Sequence, residues 1–220
     1  MSSELQRRII TSFFLLSLLV LMFSYTYILI ISLIVICIIS WIEFYALISK
    51  IYKKKNRSNI ILRFILKATS LLYLSILIYI ILMSKLINPK FEIFIIYSIL
   101  VSIMSDIGGL VIGRTFKGRK LTRISPKKTI SGSIGSFIFS LSIIPFFIQN
   151  LPDISLYLII FITIVISLSS QIGDLFISHL KRNAKVKNTS NLLPGHGGVL
   201  DRIDGIIFSI PVGFLTLSSF

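Results

Sequence analysis

An all-α, polytopic membrane protein with about seven transmembrane helices and a cytoplasmic N-terminus is the fold the sequence predicts, on three observations. The 220 residues are 55% hydrophobic and 14% charged, with a mean hydropathy of +0.93, far more apolar than a water-soluble domain of this length. The apolar residues gather in long runs, and a helix needs ~20 of them to cross hydrocarbon. The basic residues sit in short clusters between those runs, so the net charge of +15 marks topology and excludes a nucleic-acid surface.

Inside a bilayer each backbone N–H and C=O must be paired within its own segment, which makes each run a helix. Seven runs qualify, at about residues 9–24, 27–47, 60–83, 91–113, 130–149, 154–180 and 203–219. Arg7 and Arg8 before the first run imitate a signal peptide, but no small-residue cleavage site follows and the run reads as a retained helix. Ser24-Tyr25-Thr26-Tyr27 is the short link to the second run. With the N-terminus cytoplasmic, segments 1–8, 49–58, 114–129 and 181–202 carry 2, 5, 7 and 5 of the 23 lysines and arginines. That bias orients the chain. Lys85 and Lys90 fall outside, while Arg63 and Lys67 lie near the cytoplasmic end of the third helix, where long side chains snorkel. Trp41 and Tyr45 suit an interfacial aromatic belt. Cys37 is the single cysteine and reads as filler, so the chain alone builds neither a disulfide nor a cysteine-rich metal site. The chain divides into N-terminal transmembrane helices, 1–90, and a transmembrane catalytic region with a cytoplasmic loop, 91–220.

The eight acidic residues separate into two groups. Glu4, Glu43, Glu92 and Asp153 lie at termini or helix ends and read as solvated surface. Asp106 and Asp174 are embedded in apolar helices, roughly 10 Å below the cytoplasmic end at about 1.5 Å per residue. A carboxylate at that depth is costly and ordinarily faces a protein interior or a watered cavity and meets a cation. Asp174, Ser178 and Lys181 recur at i, i+4 and i+7, forming one polar stripe with Arg182 adjoining; an Asp–Lys pair that only helps helices pack is the competing explanation.

Just beyond the stripe comes LPGHGGVLDRID, Leu193 to Asp204, a glycine turn with a histidine before two aspartates at a helix entrance. Closely spaced aspartates bind hard divalent cations, which in turn bridge to substrate phosphates, and glycines let backbone N–H groups approach an anion. Lys181, Arg182, Lys185, Lys187 and Arg202 surround the loop and suit a polyphosphate, although a positive-inside loop carries such residues anyway. A second glycine-bearing stretch runs from Ser105 to Gly135 and includes Ser125-Pro126-Lys127-Lys128-Thr129. Gly109 with Gly113, and Gly132 with Gly135, read first as sites of close helix packing, whereas Asp106 and Lys128 read as functional.

The stretch Ser178 to Asp204, SHLKRNAKVKNTSNLLPGHGGVLDRID, resembles the signature of the phosphatidate cytidylyltransferase (CDP-diacylglycerol synthase) family. The resemblance extends upstream through Gly173-Asp174-Leu175 and Ser125 to Thr129, covering the second half of the chain, while the first half matches in hydropathy only. The family commonly has Glu before the signature serine and Asp after the second signature lysine, where this chain has Ile177 and Asn188.

The resemblance implies transfer of CMP from CTP to phosphatidate, giving CDP-diacylglycerol and pyrophosphate. It implies Asp174, Lys181, Arg182, Asp201, Arg202 and Asp204 as catalytic residues, with Asp174, Asp201 and Asp204 holding Mg2+ and a second cation allowed. Contacts to CTP and phosphatidate fall to Asp106, Lys127, Lys128, Ser178, Lys187, His196, Gly197 and Gly198. The expected setting is a cell inner membrane with the site facing the cytoplasm, lipid and the two substrates as partners, no nucleic acid, and pairing into a homodimer left open. Three rivals stand beside this reading: an ion or solute transporter, a CTP-dependent enzyme acting on another lipid phosphate, and an inactive family member.

Overall fold

The computed structural model describes residues 3–53, 56–122, 124–126, 128–151 and 154–220, and within its helices the side chains of residues 3–5, 7–9, 89 and 90 stand outside that set. The predicted substrate contact Lys127, and the surface acids Asp153 and Glu4, therefore lie outside the described side chains.

Among the described residues the regular structure is helical: α1 (Ser3–Ser24), α2 (Thr26–Ile51), α3 (Arg57–Ile87), α4 (Pro89–Thr115), α5 (Ile130–Leu141), α6 (Ile144–Phe147) with a 3₁₀ turn at Ile148–Asn150, α7 (Leu156–Asn183) and α8 (Leu200–Leu217). Five stretches are long and apolar enough to cross a membrane: Thr26–Ile51, Arg57–Ile87, Phe91–Thr115, Ile130–Asn150 and Leu156–Asn183. The other two predicted runs are helical but fall short. The apolar part of α1 is Ile10–Ser24, and α8 has 18 residues with Asp201 in its first turn.

The link between α1 and α2 contracts to Tyr25, whose extended backbone breaks the helix. The predicted helix over 130–149 is interrupted after Leu141. Pro145 has no N–H to offer the preceding turn, and the chain tightens there, with Ser142 N donating to Phe139 O and Ile143 N to Ser140 O, each at 3.2 Å.

Packing groups the chain into two compact units, Met1–Leu82 with Leu180–Ile203, and Met83–His179 with Asp204–Phe220. The loop within 180–203, read from sequence as part of 91–220, is thus grouped with the N-terminal helices. In the first unit α2 and α3 meet through polar groups near their linked ends. Trp41 Nε1 donates to Lys67 O at 3.2 Å, Arg63 donates to Ser49 Oγ at 3.2 Å, and the Lys67 ammonium sits 3.4 Å from the Tyr45 ring centroid. A cation on a ring face needs less water than a bare ammonium, which makes Lys67 tolerable in an apolar helix.

The second unit is apolar outside and partly polar within. Phe161, Phe146 and Tyr157 are exposed, whereas Ser98, Ser102 and Ser105 on α4, Ser140 on α5 and Thr163, Ser167 and Ser170 on α7 are fully buried. Ser102 and Ser170 hydroxyls meet at 2.7 Å, Ser167 donates to Ser105 Oγ at 3.0 Å, and Ser136 to Ser105 O at 2.7 Å. Lipid already solvates apolar side chains, so close packing of small residues and interhelical hydrogen bonds are what join helices there. An apolar cluster of Tyr97, Val101, Ile144, Ile159, Ile162, Ile166 and Leu217 completes the core.

The glycines of α4 and α5 act as their spacing predicted. A side-chain carbon at Gly109 would fall 2.7 Å from Ser136 Oγ, and one at Gly132 would fall 2.8 Å from Gly109 O. Only glycine allows that approach, and it brings Asp106 on α4 and Lys128, just before α5, to one cavity.

Candidate active site

The second unit holds a cavity of about 370 Å³ whose lining includes Ser105, Asp106, Gly109, Arg114, Ser125, Lys128, Thr129, Ser133, Gln171 and Asp174. Its walls are α4, α5 and α7, and the connection between α4 and α5 folds over one end. Leu121 N donates to Lys128 O at 2.8 Å, Ile130 N to Arg119 O at 3.0 Å, and Lys128 N to Ser125 O at 3.0 Å. Thr129 caps α5 by accepting from Gly132 N at 3.1 Å, fixing where Lys128 leaves the backbone.

Lys128 is ion-paired with Asp174, and Ser178 donates to Asp174 Oδ1 at 3.2 Å. The serine of the polar stripe therefore reaches the carboxylate as the spacing predicted. The cation that meets Asp174 comes from the α4–α5 connection, while Lys181 is paired elsewhere. Asp204 is buried in the same unit, its Oδ1 accepting from Gly205 N at 3.0 Å.

In the first unit the loop before α8 is built as a tight turn. Leu193 and Gly197 exchange backbone bonds at 2.8 and 3.0 Å, and Gly195 and Gly197 adopt φ of +75° and +89°, conformations that favour glycine. Arg202 donates from Nε at 3.0 Å and Nη2 at 2.5 Å to His196 O. Thr11 Oγ1 donates to Pro194 O at 3.1 Å, and Ser12 Oγ lies 3.2 Å from His196 Nε2. Arg202 and His196 thus shape the loop, whatever else they touch.

Two carboxylates close the loop. Asp201 Oδ1 accepts from Lys181 at 2.6 Å, and its Oδ2 accepts from Thr189 N at 2.8 Å and Gly198 N at 3.1 Å, with Thr189 Oγ1 3.0 Å away. Burial pushes the Asp201 carboxyl up, but the Lys181 hydrogen bond, the Thr189 and Gly198 N–H groups and the Lys181 charge outweigh it and hold the group below its ordinary value. The other carboxylate is Glu43 of α2, and here the sequence reading is corrected. Glu43 is not solvated surface; it is 4% exposed and accepts from Thr189 Oγ1, Ser190 Oγ, Val199 N and Leu200 N. The signal was available. Glu43 lies inside an apolar run, and the cost of a carboxylate there marks it as surely as it marked Asp106 and Asp174.

The sequence model of the cytidylyltransferase family matches residues 2–220. The chain belongs to the cytidylyltransferase family. Among its relatives is a phosphatidate cytidylyltransferase of Staphylococcus saprophyticus, 41% identical over 122 residues, 54% of this chain and 46% of that protein. A phosphatidate cytidylyltransferase of Bacillus subtilis is 38% identical over 130 residues, 58% and 48% of the two chains. One from Rickettsia bellii is 41% identical over 117 residues, 50% and 51%. The matched segment spans about half the length of these curated relatives. The family match reaches the first half of the chain, which carries Glu43.

The Mg2+ that the resemblance implies would need hard oxygen donors. The cavity offers oxygen donors only, from Asp106, Asp174 and several hydroxyls, together with a side-chain amide and no sulfur or imidazole, which suits a hard cation. Asp174 remains a quarter exposed. Among the described residues no three His, Cys, Asp or Glu side chains gather closely enough to hold an ion, so water and substrate phosphate would complete its coordination, as is usual for magnesium. Asp201 differs: its side chain is 5% exposed and both oxygens are engaged by the loop and Lys181.

Proposed function

We propose that this chain is a phosphatidate cytidylyltransferase, joining CTP to phosphatidate and releasing pyrophosphate with CDP-diacylglycerol. The observation that carries the proposal is a cavity with opposed charges, Lys128 and Arg114 against Asp106 and Asp174, in a member of the cytidylyltransferase family. Membership leaves the transporter reading without support.

An oxygen of the phosphatidate phosphate attacks the α-phosphorus of CTP; a new P–O bond forms as the bond to the bridging oxygen breaks and pyrophosphate departs. The phosphate is already a nucleophile near neutral pH, so the site needs charge neutralisation and alignment more than a strong base. Asp174 of the cavity would hold Mg2+, with Asp204 as the second ligand that the family resemblance implies; the ion when bound draws charge from phosphate oxygens. Lys128 takes the lipid phosphate, Lys127 is a further candidate contact from its place in the sequence, Asp106 lines the same cavity, and Ser178 keeps Asp174 aligned. Lys181, Arg182, Lys187 and Arg202 offset the charge of the nucleotide, and His196, Gly197 and Gly198 present the loop to it. Asp201 supports catalysis by holding that loop.

Seven spans, a cytoplasmic N-terminus and a site open to the cytoplasm of an inner membrane complete the proposal, on the strength of the charge bias between segments. Single-cysteine labelling at residues 53 and 86 in sealed vesicles tests the orientation.

The deciding assay follows magnesium-dependent conversion of labelled CTP and phosphatidate by the purified protein in detergent, with Asp174→Asn and Asp204→Asn beside it. Product from the parent protein alone supports reaction and site together. A folded protein that ignores phosphatidate but accepts another lipid phosphate overturns the substrate, and near-normal activity in both variants overturns the site.

A further inference from the structure

We propose that Glu43 is the positioning residue of the loop, holding residues 189–200 in the shape that catalysis uses from a helix nearly 150 positions away in sequence. The proposal rests on the cytidylyltransferase reading only for its activity readout.

The geometry of the carboxylate is the argument. Oε1 accepts from Ser190 Oγ at 2.6 Å and Val199 N at 3.0 Å, and Oε2 accepts from Thr189 Oγ1 at 2.8 Å and Leu200 N at 2.9 Å. Each oxygen thus takes one hydroxyl and one backbone N–H. The two N–H groups belong to the start of α8, where helical donors have no partner within the helix and where negative charge is favoured by the helix dipole. The two hydroxyls belong to the loop's entry. One side chain therefore ties both ends of the segment together. Thr189 Oγ1 also lies 3.0 Å from Asp201 Oδ2, which links Glu43 to the Asp201–Lys181 pair. Gly198 lies beneath, and a side-chain carbon there would come within 2.6 Å of Glu43 Oε1.

This arrangement needs a carboxylate rather than any polar side chain of the same shape. A glutamine has one accepting oxygen and one donating nitrogen. Whichever way it turns, its NH2 faces the N–H of either Val199 or Leu200, leaving a buried donor unpaired. Aspartate accepts equally well but is one methylene short.

The test compares the parent protein with Glu43→Gln and Glu43→Asp by hydrogen exchange and by steady-state kinetics well below the unfolding temperature. In Glu43→Gln, exchange across 189–200 quickens about tenfold or more while the core of the second unit, around Tyr97, Val101 and Ile162, keeps its protection. In step with that change, kcat falls and the KM for CTP rises, but the KM for phosphatidate does not move. Glu43→Asp recovers part of both. Unaltered exchange in 189–200 overturns the proposal. So does a loss of protection spread through both units, which would make Glu43 a general stabiliser of the fold. If loop exchange responds as expected but even the parent protein forms no CDP-diacylglycerol, the positioning role stands and the cytidylyltransferase activity falls.

Discussion

Lys128 and Asp174 form an ion pair in the second unit, the ammonium supplied by the residue before the α5 cap and the carboxylate by α7. Their side chains are 28% and 25% exposed. The pair is too sheltered to be an ordinary solvated bridge, and open enough for an incoming anion to compete for the lysine. It makes each member's charge tolerable in the absence of substrate.

Lys128→Gln therefore has two expected effects. The lipid phosphate loses a charged contact, so the KM for phosphatidate rises about tenfold, the worth of one charge-assisted hydrogen bond, and the Asp174 carboxylate loses its cation. Mixed-micelle kinetics at fixed surface concentration of phosphatidate measure the first. An unchanged KM for the lipid would show that Lys128 serves Asp174 alone.

Asp201 makes the loop sensitive to acid. Its folded carboxyl titrates below its ordinary value, against about 3.9 in an unfolded chain. A depressed folded pKa contributes stability that is present above the unfolded value and is lost as pH falls through the folded one. Loop protection is accordingly flat from neutrality down to about pH 4 and declines below it. Hydrogen exchange of Thr189 and Gly198, corrected for the intrinsic pH dependence, reads this directly. Asp201→Asn starts from weaker protection and loses the acid-dependent step; the same step persisting in that variant would assign it to another group.

Much of this was legible in the chain. Hydropathy located the helices because each segment in lipid must satisfy its own backbone, and glycines four apart on α4 and three apart on α5 marked their packing because only a missing Cβ allows the approach seen at Gly109 and Gly132. Asp174 and Ser178 were paired by helical periodicity alone. The partners of the loop were harder. Lys128 reaches Asp174, and Glu43 reaches Thr189, across separations of 46 and 146 residues, and no periodicity encodes which helix faces which. Glu43 lies near a helix end, where a solvated carboxylate is common, yet it sits within an apolar run, where the cost of a carboxylate signals the buried role it has. The break after Leu141 was signalled by Pro145 but masked by unbroken hydropathy.

The α4–α5 contact yields a stability prediction. A Cβ at Gly132 would lie 2.8 Å from Gly109 O and 3.1 Å from Thr129 Oγ1, the atom that caps α5. Backbone cannot yield as a flexible side-chain tip can, so Gly132→Val forces the helices apart at a cost of about 1–3 kcal/mol. The detergent-solubilised variant unfolds at a lower temperature, and the Lys128–Asp174 pair loosens with it. A thermal midpoint equal to that of the parent would mean that α5 can slide along α4 without penalty.

Gly197→Ala separates backbone shape from side-chain chemistry in the loop. At φ +89° an L-residue is strained by roughly 1–2 kcal/mol, and the added carbon would sit 2.9 Å from Asp201 Oδ2 and 3.2 Å from Asn188 Cγ. Asp201 cannot retreat without loosening its bonds to Thr189 and Gly198, so the strain passes into the same network that Glu43 holds from the other side. Turnover in Gly197→Ala should fall and exchange at Thr189 should quicken, with the charge of every phosphate-facing residue unaltered. Adding Asn188→Ala relieves the contact at Cγ but neither the φ strain nor the clash with Asp201, and restores little. Full recovery in the double variant would instead identify Asn188, a point of departure from the family signature, as the element that fixes the loop.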